Sequence, residues 1–255
     1  MTVTTTSRPE ISEAPVLPTR RYKPRRWRRR FAWLAIAAAA SMIAGLVYLS
    51  TLPGVSDAEA RVKAQLATHH APDSGRSVAE KLGRAIVAVE DARFYTHHGI
   101  DVQAVGRAAW ATIRLQQGDQ GGSTITQQLA KRLYRSGEGW TSKAAQLGLA
   151  LKLEARYTKS QILEMYLNAV YFGDGQWGAD AACRAFFHKP CDDLDWAEAS
   201  LLAGLVQAPS AYDPTRHFAA ARARQRHVLD RLVAVGQLDR EQANAAYNEL
   251  TALDR

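Results

Sequence analysis

The chain has 255 residues, 47% of them hydrophobic and 23% charged, with two cysteines and a formal net charge of +8. That length holds one ordinary domain with appendages. Residues 1–30 alone carry nine Lys/Arg against Glu10 and Glu13, a net +7, so the rest of the chain is nearly neutral and no nucleic-acid partner is expected.

Residues 1–19, rich in Pro, Ser and Thr without periodicity, read as a disordered tail. Eight cations then crowd the eleven residues from Arg20 to Arg30, and together these segments make a cytoplasmic tail with a basic arm, residues 1–30. No charged residue follows until Asp57, and Phe31 to Leu52 is dominated by Ala, Ile, Leu, Val and Trp. About 22 residues at ~1.5 Å each span a ~30 Å hydrocarbon core, so residues 31–52 read as a single transmembrane anchor. The positive-inside tendency keeps the arm in the cytoplasm and puts everything after the anchor outside. Ala58-Glu59-Ala60 has the form of a signal-peptidase site, but the length of the apolar stretch and of the segment before it favours an uncleaved anchor.

Residues 53–76 are expected to be a stalk or linker, with a short helix over Asp57 to Leu66 and a loop from Ala71 to Ser77. A folded domain then occupies residues 77–255. Val102, Val105, Ala109 and Ile113 recur at helix spacing. Thr158-Lys159-Ser160-Gln161 has the form of a capping box, opening a helix whose Ile162, Leu163, Tyr166, Leu167 and Val170 share a face. Asp195-Trp196-Ala197-Glu198 repeats that device. Helices are predicted over Ala219 to about Val235 and Asp239 to about Leu250, with Gly236 as the cap between them. No strand-like alternation persists, so the domain is expected to be mainly α.

Cys183 and Cys191 fall beyond the anchor, where disulfides persist; their spacing permits a small loop but does not show that the Cβ atoms meet. The seven His show no metal-ligand spacing, and no metal site is expected from the residues.

Chemistry concentrates between residues 90 and 146. Glu90 closes the apolar turn Ala85 to Val89, which holds its carboxylate at the edge of a core and suits it to proton transfer. Asp91 and His97 lie close enough to orient it. Further on, Gly121-Gly122-Ser123-Thr124-Ile125-Thr126-Gln127-Gln128 reaches Lys131 through hydroxyls and amides. A helix N-terminus with free N–H groups and a nearby Lys suits a phosphate or pyrophosphate. Each pattern alone is also compatible with an ordinary helix end.

Together the motifs resemble those of the bacterial peptidoglycan glycosyltransferases, family 51, in the monofunctional membrane-anchored form. Glu90-Asp91-x-x-Phe94-x-x-His97-x-Gly99 is similar to the first motif and Gly122-Ser123-Thr124-Ile125-Thr126-Gln127-Gln128-Leu129-x-Lys131 to the second. Lys159-x-x-Ile162-Leu163-x-x-Tyr166-Leu167-Asn168, with Tyr171, Gly173, Gly178, Ala182, Phe187 and Lys189, resembles the fourth. Ala199-x-Leu201-Leu202-Ala203 with Ala208-Pro209-x-x-Tyr212-x-Pro214 resembles the fifth. The resemblance covers about residues 77–235.

It implies a lysozyme-like helical domain that polymerises lipid II, with Glu90 as the general base. That base takes the proton from the 4-hydroxyl of an acceptor GlcNAc, which displaces undecaprenyl pyrophosphate from the donor MurNAc with inversion. Asp91, Phe94, His97, Ser123, Thr124, Gln127, Gln128, Lys131, Arg132 and Lys143 are then the expected substrate-binding residues. A divalent cation, Mg or Mn, is compatible with such a site, although no cofactor is certain. The implied location is the bacterial inner membrane, single-pass, with the N-terminus cytoplasmic and the catalytic domain periplasmic. Expected partners are lipid II, nascent glycan, membrane lipid and other cell-wall synthesis proteins. The chain ends at Arg255 without a penicillin-binding domain, so cross-linking is expected from a separate transpeptidase.

The third motif departs. The family's Arg-Lys-x-x-Glu falls, by ungapped alignment through Glu154-Ala155-Arg156-Tyr157, on Ser142-Lys143-Ala144-Ala145-Gln146. The second catalytic carboxylate is thus Gln146, which hydrogen-bonds but takes no proton. Glu154, eight helical residues on, is displaced by ~12 Å and is a poor substitute. Arg132 stands where the family usually has Asn and is expected to supply the cation lost at Ser142. Three readings follow: an active polymerase with a modified second site, a weakened homologue that binds lipid II or glycan as a scaffold, and a glycan-cleaving enzyme. The last usually needs an acidic pair, which the missing partner of Glu90 disfavours.

Overall fold

The structure is a computed structural model that describes residues 25–72, 79–106, 122–134 and 143–249. It divides into two units, one ending at Tyr48 and one beginning at Leu49. The first is dominated by α1 (Arg25–Thr51), whose residues 29–51 form a helix long and apolar enough to cross a membrane. Leu34, Ile36, Met42 and Leu46 on it are all exposed, the condition of a helix whose solvent is lipid rather than protein.

The second unit is mainly α, in agreement with a lysozyme-like helical domain, and among the described residues it has no strand beyond one isolated bridge between Tyr171 and Trp177. Its helices are α2 (Ala58–Thr68), α3 (Glu80–Glu90), α4 (Ile125–Leu133), α5 (Lys143–Arg156), α6 (Lys159–Ala169), α7 (Ala179–Phe187), α8 (Trp196–Leu205), α9 (Phe218–Ala234) and α10 (Arg240–Glu249). Residues 102–106 are also helical. Both capping boxes read from the sequence are present, with Thr158 and Asp195 accepting from the backbone N–H three residues on. Gly236 adopts the left-handed conformation expected of a cap, φ +73.

Two groups of helices share one core. In the first, α8 is buried on every side from Ala197 to Leu205 and packs against α3, α9 and α10. In the second, α4 packs on α5 and α6, while α6 also contacts α2 and α7. Glu90, the last residue of α3, reaches across from the first group to α4 in the second.

The described part of the segment expected as a stalk, residues 53–72, contributes to this core instead. Leu52, Val55, Ala58, Val62 and Leu66 are all buried, the last three on one face of α2. Lys152 Nζ donates to the carbonyls of Leu52 (2.7 Å) and Pro53 (3.1 Å), Tyr157 OH to that of Val55 (3.1 Å), and Tyr134 OH to Asp57 (3.1 Å). The folded unit therefore begins well before residue 77, because the chain leaving α1 buries its apolar side chains at once. Gly148 on α5 makes the approach possible: a Cβ there would collide with Leu52.

The Cys183–Cys191 disulfide forms, joining α7 to the short 3-10 helix Cys191–Asp193. Gly121, Ser142, Ala109 and Ile113, all used in the sequence reading, lie outside the described residues.

Candidate active site

The site is organised by the side chains of α4, which serves three neighbours from three faces. Residues 123, 127 and 131 follow one another at four-residue spacing and share a face, residues 128 and 132 share a second, and Thr126 points to a third.

The first face forms a cationic cradle. Lys143, the first residue of α5, donates from Nζ to Ser123 Oγ (2.7 Å) and to Gln127 Oε1 (3.0 Å). Burial and the charge of Lys131 both push the Lys143 ammonium below the usual lysine range. Two like charges held together, with no carboxylate between them among the described residues, are suited to an anion. Gln146 follows Lys143 by one helical turn, is half-buried, and lies on the same side of α5.

The second face meets the carboxylate. Gln128 Nε2 donates to Glu90 Oε2 (2.8 Å), and Gln128 Oε1 accepts from Tyr166 OH (2.9 Å). Arg132 lies over the Tyr166 ring, its Cζ 5.7 Å from the centroid, and its Nε is buried without a hydrogen-bond partner. This corrects the expectation that Arg132 joins the cradle: one position beyond Lys131, it is rotated about 100° to the face that meets Glu90. On the far side of Glu90, Arg224 Nη2 lies 4.0 Å from Oε1, with both side chains 13% exposed. Arg224, inside the helix predicted over Ala219 to about Val235, was not singled out in the sequence. Gly204 admits it, since a Cβ there would press on Arg224 Cγ at 3.0 Å.

The third face meets Glu154. Its Oε1 accepts from Thr126 Oγ1 (2.5 Å) and pairs with Lys159 Nζ (2.8 Å), which also lies 4.4 Å above the centre of the Phe94 ring. Glu154 is therefore committed to a buried ion pair, in keeping with its exclusion as a substitute base.

Several expected substrate-binding residues also make contacts within the protein, between residues 91–99 and the start of α4. Asp91 is buried, and its carboxylate receives His97 Nε2 (2.9 Å) and the backbone N–H of Ile125 (3.1 Å). Thr124 caps α4 by accepting from Gln127 N (3.2 Å) while donating to Gly99 O (2.7 Å), and Gln127 Nε2 donates to the same carbonyl (3.0 Å). Phe94 is fully buried. Two N–H groups of the first turn of α4 are thus satisfied within the protein, so the α4 N-terminus is less open to an anion than its sequence suggests.

Among the described residues no three His, Cys, Asp or Glu side chains gather to hold a metal ion. Among the described residues the cradle is lined by ammonium, amide and hydroxyl groups and no carboxylate, a lining that favours an anion over a divalent cation.

Residues 60–233 match the family model described as Transglycosylase. The chain belongs to the transglycosylase family. It is 40% identical over 187 residues to a putative transglycosylase of Cupriavidus necator, covering 72% of this chain and 80% of that one. It is 41% identical over 171 residues to penicillin-binding protein 1A of Neisseria gonorrhoeae, and 38% identical over 183 residues to penicillin-binding protein 1F of Bacillus subtilis. Those two matches cover 67% and 71% of this chain but only 21% and 26% of the relatives, so the chain spans about a quarter or less of their length. A crystal structure of penicillin-binding protein 1A from Haemophilus influenzae also matches, at 26% identity and a TM-score of 0.36, over 51% of this chain and 16% of that one. The transglycosylase match begins inside α2, in accord with the packing of that helix into the core.

Proposed function

We propose that this protein polymerises lipid II into the glycan strands of peptidoglycan. Glu90 carries the reading. It is a largely buried carboxylate that accepts from Gln128 and stands 4.0 Å from Arg224 without a close ion pair, so it is placed to accept a proton. In the proposed step it takes the proton of the acceptor GlcNAc 4-hydroxyl. The freed oxygen attacks the anomeric carbon of the donor MurNAc, and the bond to undecaprenyl pyrophosphate breaks with inversion. Lys131, Lys143 and Ser123 receive the charge that develops on the departing pyrophosphate. Gln146, one turn from Lys143, is assigned a hydrogen bond to the same group.

The anchor keeps the enzyme beside a substrate whose lipid tail never leaves the bilayer. A disulfide supports an oxidising compartment for the domain, which with the basic arm favours a cytoplasmic N-terminus and a periplasmic catalytic unit.

The decisive experiment incubates detergent-extracted protein with labelled lipid II. Glycan chains made by the wild type and absent with Glu90→Gln support the proposal. Lipid II binding without chains favours the scaffold reading, for which the Gln at position 146 is the specific observation. Shortening of preformed glycan would favour hydrolysis, against which stands the capture of Glu154 by Lys159.

A further inference from the structure

Glu90 is approached by a hydrogen-bonded relay that begins 76 positions along the chain at Tyr166. A carboxylate only accepts, so the Gln128 atom facing Glu90 is its amide nitrogen and the atom facing Tyr166 is its amide oxygen. That oxygen also only accepts, which commits the single phenolic proton of Tyr166 to it. The geometry points to Tyr166 as a positioning residue for the general base, fixing the Gln128 amide so that its nitrogen faces Glu90. Arg132 completes the arrangement. Its guanidinium lies over the face of the Tyr166 ring, and a cation there strengthens the phenol as a donor toward Gln128. Burial and the Glu90 charge both push the phenol well above its ordinary range, so it keeps that proton throughout the working pH of an enzyme.

The two hydrogen bonds run from phenol through amide to carboxylate, and bonds arranged in that order polarise one another in the same sense. Arg132, which stands where the family usually has Asn, thereby acts on the base through two intermediaries without entering the pyrophosphate cradle. Without Tyr166 the Gln128 amide could turn and set its oxygen against Glu90.

The inference rests on Glu90 as the base, and Tyr166→Phe tests it with two readouts. The first needs no substrate: the side-chain amide protons of Gln128, followed by ¹⁵N NMR in micelles, exchange slowly with solvent in the wild type and much faster in Tyr166→Phe. The second is kinetic: kcat on lipid II falls about tenfold with KM nearly unchanged, the size expected for a lost hydrogen bond acting on a charged group. Combining Tyr166→Phe with Gln128→Leu should cost no more than Gln128→Leu alone, as two members of one relay require. Phe fills the same buried space, so a melting temperature close to wild type accompanies these effects. An unchanged Gln128 amide signal in Tyr166→Phe overturns the relay, as does a double variant whose losses add. If the wild type makes no chains, the assigned reaction fails, and the amide exchange still decides the relay.

Discussion

Glu90 and Glu154 invite direct comparison, because both take a hydrogen bond from side chains of α4 only two residues apart, Gln128 and Thr126. Their cations distinguish them. Lys159 sits on Glu154 at 2.8 Å, with the two side chains 18% and 5% exposed, whereas Arg224 stays 4.0 Å from Glu90. A carboxylate in a close buried pair gives up that pairing on taking a proton; one that is oriented by an amide and only overlooked by a guanidinium gives up much less. The same helix therefore makes a strut of one glutamate and leaves the other available for chemistry.

The sharpest test replaces each in turn. Glu90→Gln should lower polymerisation by about 10²–10⁴-fold, the contribution of a general base, with little change in melting temperature. Glu154→Gln should behave in the opposite way, losing roughly 3 kcal/mol of stability because Lys159 is left buried against Phe94 without its partner. At a temperature where both variants remain folded, Glu154→Gln should keep most of its activity. Equal kinetic losses in the two folded variants would erase the distinction.

Next in size is the cradle. Lys143→Met should reduce turnover by about 10²-fold through loss of charge stabilisation at the leaving group. The pH dependence follows from the depressed lysine. Burial and Lys131 favour its neutral form, so its charge is lost at a lower pH than that of an ordinary lysine, and donor binding should weaken early on the alkaline side. Lys131→Met removes one of the two causes. The alkaline limb of kcat/KM should then move to higher pH even as the overall rate falls, while the limb should stay in place for Glu154→Gln.

Much of this was open to reading in the chain, and the exceptions have a common origin. The capping boxes at Thr158 and Asp195, the left-handed Gly236 and the apolar turn before Glu90 are local patterns, set by residues within a few positions of one another. The burial of α2 was also latent, since Ala58, Val62 and Leu66 repeat at four-residue spacing, but a short helix next to a membrane span reads equally well as a stalk. What the sequence concealed were partnerships across long separations. Asp91 satisfies an N–H 34 residues away, Tyr166 reaches Gln128 over 38, and Arg224 faces Glu90 from a different helix. Motif spacing singled out Ser123, Gln127, Lys131 and Lys143, which the structure brings together, but it could not assign Gln128 and Arg132 to a separate face until the partners of α4 were known.

A smaller effect is expected far from both glutamates. The Cys183–Cys191 disulfide closes a loop of about nine residues, and chain entropy assigns such a loop about 2.5 kcal/mol. Cys191→Ser should lower the melting temperature accordingly and leave kcat on lipid II unchanged. A kinetic loss in that variant would mean that α7 bears on the site, extending the functional region beyond α3 to α6 and α9.

The smallest expected effect concerns Gln146, and it asks which of the two glutamates a new carboxylate would imitate. Gln146→Glu places an anion one turn from Lys143 on the same side of α5. An exposed pair at that spacing is worth only about 0.2–0.5 kcal/mol, so stability should barely move. The anion would nevertheless favour the charged form of Lys143 and compete with pyrophosphate for it, in the manner of Glu154 with Lys159. KM should rise a few-fold, the alkaline limb should move up, and kcat should hold. A tenfold or greater gain in kcat would place the new carboxylate with Glu90 instead, and would show that the chain works with a disabled second catalytic group, not with a cradle remade around a neutral one.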